Sequence, residues 1–175
     1  MKKRIPFRSI QSTENSVCCN ILPLFHIFGL VAGLFASAFG DSLLVLPKDM
    51  HMSTLIDTIE SNRCTVFHAV PTLFLAMMTN KDFCPERLSS LRCTILSGSA
   101  ATKAQLELFR EKLPENHFLS SYGLSEMAPV TITEYEDSFS HITDTVGKPM
   151  EHVEMKIAAL SDGHECVPGE TGEIL

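Results

Sequence analysis

The stretch Ser120-Ser121-Tyr122-Gly123-Leu124-Ser125-Glu126-Met127 decides how the rest of the chain is read. It follows the apolar pair Phe118-Leu119 and precedes an extended segment, Pro129-Val-Thr-Ile-Thr133. A strand that runs into Tyr-Gly, and then into a hydroxyl beside a carboxylate, can hold a nucleotide phosphate. Gly123 lets the backbone approach a ligand closely or take a positive φ. Tyr122 offers a flat face to a base or ring. Ser125 can donate a hydrogen bond to a phosphate oxygen. Glu126 can hold a magnesium ion, which takes hard oxygen ligands. A solvated turn after a strand is the competing reading, because short motifs also match by accident.

Upstream of this stretch, strand and helix alternate. Val17–Leu22 has strand character. Ile21–Phe39 is almost entirely apolar and just long enough to be read as one membrane span. The alternative splits it into the end of a strand, a loop carrying Pro23 to His26, and a helix buried on most sides from about Phe28 to Phe39. Ser42–Leu46 is a continuous apolar run of the kind buried on both faces of a parallel sheet. Ser53 is the expected N-cap of a helix reaching Ser61, with Leu55, Ile56 and Ile59 on one face. Thr65–Val70 reads as a strand, and Pro71 as the first turn of a helix to Met78 whose Met-rich face fills the core. Residues 79–90 read as a loop, Leu91–Leu96 as a strand and Ser97–Ala101 as a small-residue turn. Thr102 then caps a helix to about Lys112, and His117–Ser121 is the strand leading into Tyr122.

This alternation predicts an α/β fold, a layered parallel sheet with helices on both faces and right-handed crossovers. Ligands in such sheets sit beyond the carboxyl ends of the strands. His26, Ser97–Ala101 and Tyr122–Glu126 all fall there. From Pro129 the texture changes. Glu134–His141 reads as an acidic loop, Val153–Ile157 as a half-exposed strand, Asp162-Gly163 as a turn, and Ile174-Leu175 as the start of another strand. The expected organisation is an irregular lead-in at 1–16, a partial α/β subdomain at 17–133, and the start of a smaller β subdomain at 134–175.

Composition narrows the function. The chain has 175 residues, 45% of them hydrophobic, and a formal net charge of −7. That suits a globular domain and disfavours nucleic-acid binding, which needs clustered Lys and Arg. The six cysteines, at 18, 19, 64, 84, 93 and 166, include no Cys-x-x-Cys pair. A zinc site is not expected, and free thiols in a reducing cytoplasm are. The basic start, Met1–Arg8, is followed by the polar run Ser9–Ser16 and not by an apolar core, so no secretory signal is expected.

Tyr122-Gly-Leu-Ser-Glu126 resembles the Tyr-Gly-x-Thr-Glu motif of the adenylate-forming (AMP-binding) superfamily. Further stretches resemble the family's in order: Leu22-Pro-Leu-Phe-His26-Ile-Phe-Gly29, Val70–Phe74, Leu96-Ser-Gly-Ser-Ala-Ala101, Val146-Gly-Lys-Pro149 and Gly169-Glu-Thr-Gly-Glu-Ile174. The resemblance covers roughly Val17 to Leu175 and is most like a fatty acyl-CoA synthetase. It implies a ligase that joins a carboxylic acid to ATP, releases pyrophosphate, and passes the acyl group from AMP to coenzyme A. It implies that Glu126 binds Mg2+, that Ser125 holds phosphate, and that Tyr122 packs on the adenine opposite the turn Ser99-Ala100-Ala101. Gly98 and Gly123 would give the close approach, and His26 would lie near the carboxylate and phosphate.

The sequence departs from the family at Gly98-Ser-Ala-Ala101, where Gly-Gly-Ala-Pro or Gly-Ala-Pro is usual, so Ser99 narrows the pocket by a hydroxyl. Nothing resembles the family's phosphate loop with its lysine, or its C-terminal domain with the catalytic lysine. The resemblance therefore implies an internal fragment of the large N-terminal domain, inactive alone, in need of the remainder of the enzyme. A fatty acid is the expected substrate and an aryl acid the alternative. A non-catalytic nucleotide- or acyl-binding remnant, or a subunit of a split enzyme, stays open as a second reading.

Overall fold

The structure is a computed structural model that describes residues 15–175. The lead-in expected at 1–16 lies outside the described residues apart from Asn15 and Ser16. Five parallel strands form the body of one sheet: β1 (Val17–Asn20), β2 (Leu43–Val45), β3 (Val66–Ala69), β4 (Cys93–Leu96) and β5 (His117–Tyr122). Two short strands, β6 (Thr131–Ile132) and β7 (Lys148–Pro149), extend it antiparallel beyond β5. The order is β2-β1-β3-β4-β5-β6-β7, so the chain starts inside, visits one edge, and then works towards the other.

The buried strands carry apolar residues on both faces, as a sheet between two layers must. One face packs against α2 (Met52–Ser61), α3 (Pro71–Met78) and α4 (Lys103–Lys112). Leu55, Ile56, Ile59, Phe74, Met77, Leu106 and Phe109 meet Cys19, Phe67, Ala69, Leu96 and Phe118 there. Phe74 is the centre of an aromatic cluster, with ring centroids 4.7 Å from Phe109 and 5.4 Å from Phe118. The other face, Cys93, Ile95, Leu119 and Ile132, is covered by Phe28 and Ala32 from a π-helix, Phe28–Phe35, that runs on into α1 (Ala36–Phe39). The predicted α/β sheet with helices on both faces is therefore the fold observed. Pro71 opens α3 at its first turn, and Thr102 forms a reciprocal capping box with Gln105 at the start of α4.

Several local expectations are corrected. The Ser42–Leu46 run is not buried on both faces. Among the described residues β2 is the sheet edge, and Leu43 is 59% exposed. The helix at 28–39 is buried on one side only, with Phe35 and Phe39 exposed. Among the described residues no helix is long and apolar enough to cross a membrane. The N-cap of α2 is His51, not Ser53, whose hydroxyl instead donates to Asp82 at 2.6 Å. The loop at 79–90 contains a 3-10 helix, Pro85–Leu88. The acidic loop at 134–141 leads into α5 (Phe139–Asp144), capped by Ser138. Val153–Lys156 forms no strand; β8 (Ile157–Ala158) and β9 (Glu173–Ile174) make a separate two-stranded sheet. β7 still belongs to the large sheet, so the change of sheet falls after Pro149.

Buried polar groups mark the layer under the π-helix. His68 on β3 is 2% exposed and lies 5.8 Å from the Phe28 ring. Its Nδ1 is 3.5 Å from the Cys18 sulfur, and its Nε2 has no hydrogen-bond partner among the described residues. Burial lowers its pKa to about 4. Burial pushes the Cys18 and Cys93 thiols up to about 12. A hydrogen bond with Cys64, and then burial, raise Cys19 as well. All six cysteines are free thiols.

Candidate functional site

Beyond the carboxyl ends of β4 and β5 the structure opens a cleft of about 720 Å³. One wall is the turn after β4, Gly98-Ser99-Ala100-Ala101. Gly98 has φ +83°, a left-handed conformation, and a Cβ there would sit 3.1 Å from Val70 Cγ1. The floor is the end of β5, Ser120 to Gly123. The third wall is Ile142-Thr143-Asp144-Thr145-Val146-Gly147, the end of α5 and its link to β7. Gly147 has φ +85°, and a Cβ on it would collide with the backbone of Ile132 and Thr133.

Short hydroxyl side chains tie these walls together. Ser97 Oγ donates to Ser121 O at 2.8 Å, joining the ends of β4 and β5. Ser120 Oγ donates to Ile142 O at 3.0 Å, and Thr131 Oγ1 to Val146 O at 2.7 Å. Ser121 Oγ donates to Thr131 O at 2.9 Å. Neutral bonds of this kind each contribute about 1 kcal/mol, and leaving a buried partner unmatched costs more.

Gly98, Ser121 and Gly123 also line a smaller, largely apolar pocket on the other side of the β4–β5 rim. Its remaining wall comes from His26, Phe28, Ala32, Ile95, Pro129 and Ile132, among others. His26 thus reaches the rim from the loop after β1. Its backbone N–H donates to Pro23 O at 3.0 Å, and its Nδ1 accepts from the Phe28 N–H at 3.2 Å. A backbone N–H can only donate, so the neutral ring carries its proton on Nε2.

The structure therefore brings Gly98, Ser99, Ala100, Ala101, Tyr122 and Gly123 around one cleft, with His26 in the adjoining pocket. Gly123 does not take a positive φ; a Cβ there would press within 3.2 Å of Ala128 Cβ. Ser125 and Glu126 do not line either cavity. They are exposed in a tight turn closed by Leu124 N to Met127 O at 2.7 Å and Met127 N to Leu124 O at 3.2 Å. The wall at 142–147 was missed as a site element from sequence. Val146-Gly147-Lys148-Pro149 carried the signal, as an ordered motif with a glycine in a place that tolerates nothing larger.

The AMP-binding enzyme family matches residues 3–175 of the chain. Acyl-CoA ligase SID4 of Ajellomyces capsulatus is 33% identical over 164 residues, 93% of this chain and 28% of that protein. Long-chain-fatty-acid–CoA ligase of Bacillus subtilis (strain 168) is 30% identical over 156 residues, 89% of this chain and 27% of that protein. O-succinylbenzoate coenzyme A synthetase (MenE) from Bacillus subtilis, solved in complex with ATP and magnesium ion, superposes with a TM-score of 0.78. It is 34% identical, over 93% of this chain and 32% of that one. The chain spans less than a third of the length of each. Fold and relatives agree: this chain belongs to the AMP-binding enzyme family, and its relatives are acyl-CoA synthetases and ligases.

Proposed function

We propose that the cleft is the adenylate site of an ATP-dependent acid–thiol ligase, to which this chain contributes one part. The single observation that carries the reading is the facing of Ser99–Ala101 and Tyr122-Gly123 across a cleft of about 720 Å³, large enough for a nucleotide. In this reading the adenine lies between the Ser99–Ala101 turn and the Tyr122 ring. The acid reaches the same rim through the apolar pocket beside His26. A carboxylate oxygen attacks the α-phosphorus of ATP and expels pyrophosphate. A coenzyme A thiol then attacks the acyl carbon and expels AMP. His26 Nε2–H donates to the charge that builds on the reacting oxygens. Ser125, exposed on the turn beyond the cleft lining, donates to a phosphate that projects past the rim, and Gly98 and Gly123 admit the ligand backbone-close.

Magnesium would be held by the Glu126 carboxylate, which is exposed and adjoins Ser125. Among the described residues there is no cluster of three or more His, Cys, Asp or Glu that could hold a metal, so the ion would draw its other oxygens from phosphate and water. When bound, it supplies positive charge to the phosphates. The cleft lining itself contains no lysine or arginine. Turnover is therefore proposed to need cations from outside these residues. The apolar lining beside His26 accords with an apolar acid; a fatty acid is proposed, with an aryl acid as the alternative, and the free thiols accord with a cytoplasmic protein.

Calorimetry of the purified chain with AMP and a non-hydrolysable acyl-adenylate mimic tests the site. Binding of the mimic is expected, with Tyr122→Ala weakening it about tenfold through lost stacking on the base. No binding, or equal binding by the variant, would overturn the reading. A pyrophosphate-release assay with ATP and a fatty-acid panel is expected to stay at blank for this chain.

A further inference from the structure

We infer that Asn20 is a positioning residue for His26, a role that deepens the adenylate-site reading above and rests on it. Asn20 ends β1 and is 1% exposed. Its Oδ1 accepts from the Leu22 N–H at 3.1 Å, and its Nδ2 donates to Gly29 O at 3.2 Å. The orientation of the amide is forced, because a backbone N–H must meet the oxygen and a carbonyl must meet the nitrogen. One buried side chain thus clamps both ends of the loop that presents His26.

The loop is built to receive that clamp. A Cβ on Gly33 would collide with the Asn20 amide, and a Cβ on Gly29 would collide with Pro23 O. The two glycines let the π-helix come down onto Asn20 and close the loop. Once closed, His26 N–H bonds Pro23 O, Leu30 N–H bonds His26 O at 3.0 Å, and the Phe28 N–H fixes His26 Nδ1. Nε2–H is the donor that remains for the rim. Asn20 touches neither cavity, so it acts through the loop and π-helix it holds, which carry His26 and Phe28 to the pocket.

Nitrogen-resolved NMR of the His26 imidazole in the full chain tests this. The wild type is expected to show one fixed Nε2–H tautomer. Asn20→Ala removes both bonds, so the His26 signals should move to a tautomer average. Affinity for the acyl-adenylate mimic should fall about tenfold, the weight of one lost hydrogen bond. Asn20→Ser, which keeps an acceptor towards the Leu22 N–H, should restore part of both readouts. A folded Asn20→Ala chain with an unchanged His26 tautomer overturns the inference. Failure of both variants to fold also overturns it, since Asn20 would then be holding up the sheet and not the loop. If the wild type does not bind the mimic, the adenylate reading fails, and the tautomer readout still decides whether Asn20 governs His26.

Discussion

At the scale of single residues, burial decides more than identity. The seven histidines are chemically alike in sequence, yet His68 is sealed beneath Phe28 and His26 stands at a rim. His68 titrates near 6.5 in an unfolded chain and at about 4 in the folded one. Between those values the unfolded chain takes up a proton that the folded chain refuses. Stability is therefore intact above about pH 6.5 and falls as the pH drops towards 4, by about 2 kcal/mol at pH 5. Urea midpoints measured at pH 7 and pH 5 should show this loss, and His68→Gln should reduce it. The sequence offered His68 only as a histidine within an apolar run. Its neighbours come from β1 and the π-helix, tens of positions away, so nothing local could place it. The Tyr122 and Ser97–Ala101 residues were legible for the opposite reason: each sits where a predicted strand ends.

At the scale of elements, helices with a local signature were readable and short elements were not. Pro71 and the Thr102 capping box are local devices, and α3 and α4 start where they say. β2 was misjudged because an apolar run does not reveal whether a neighbour covers it; edge position is a property of the sheet. α5 and the 3-10 helix are too short for periodicity to register. The wall at 142–147 depends on Gly147, whose left-handed φ and contact with Ile132 leave no room for a side chain. Gly147→Ala should cost about 2–4 kcal/mol, from the strained φ and the displacement of β7 from β6. A thermal melt should show the loss, and binding of the adenylate mimic should weaken with it because the third wall moves.

At the scale of the whole molecule, the alternation of strands and helices made the parallel sheet legible, while the antiparallel addition of β6 and β7 was not. Two-residue strands have no pattern of their own; they are fixed by pairing with β5. Among the described residues one edge of the sheet ends in β2, with Leu43 and Leu46 exposed and Phe35 and Phe39 exposed nearby on the π-helix and α1. An apolar edge of this kind promotes association between copies. Concentration-dependent light scattering by the purified chain is expected, and Leu43→Lys should suppress it without changing adenylate-mimic affinity. Equal scattering by the variant would place the sticky surface elsewhere.

The hydroxyl bonds under the cleft have one more implication. Ser97 and Thr131 help set the spacing of the walls, yet neither forms part of the cleft lining. The width of the mouth is thus governed from behind by fasteners with a single torsion each. Trimming those fasteners one at a time would slacken the opening in graded steps, while the cleft lining keeps its chemistry.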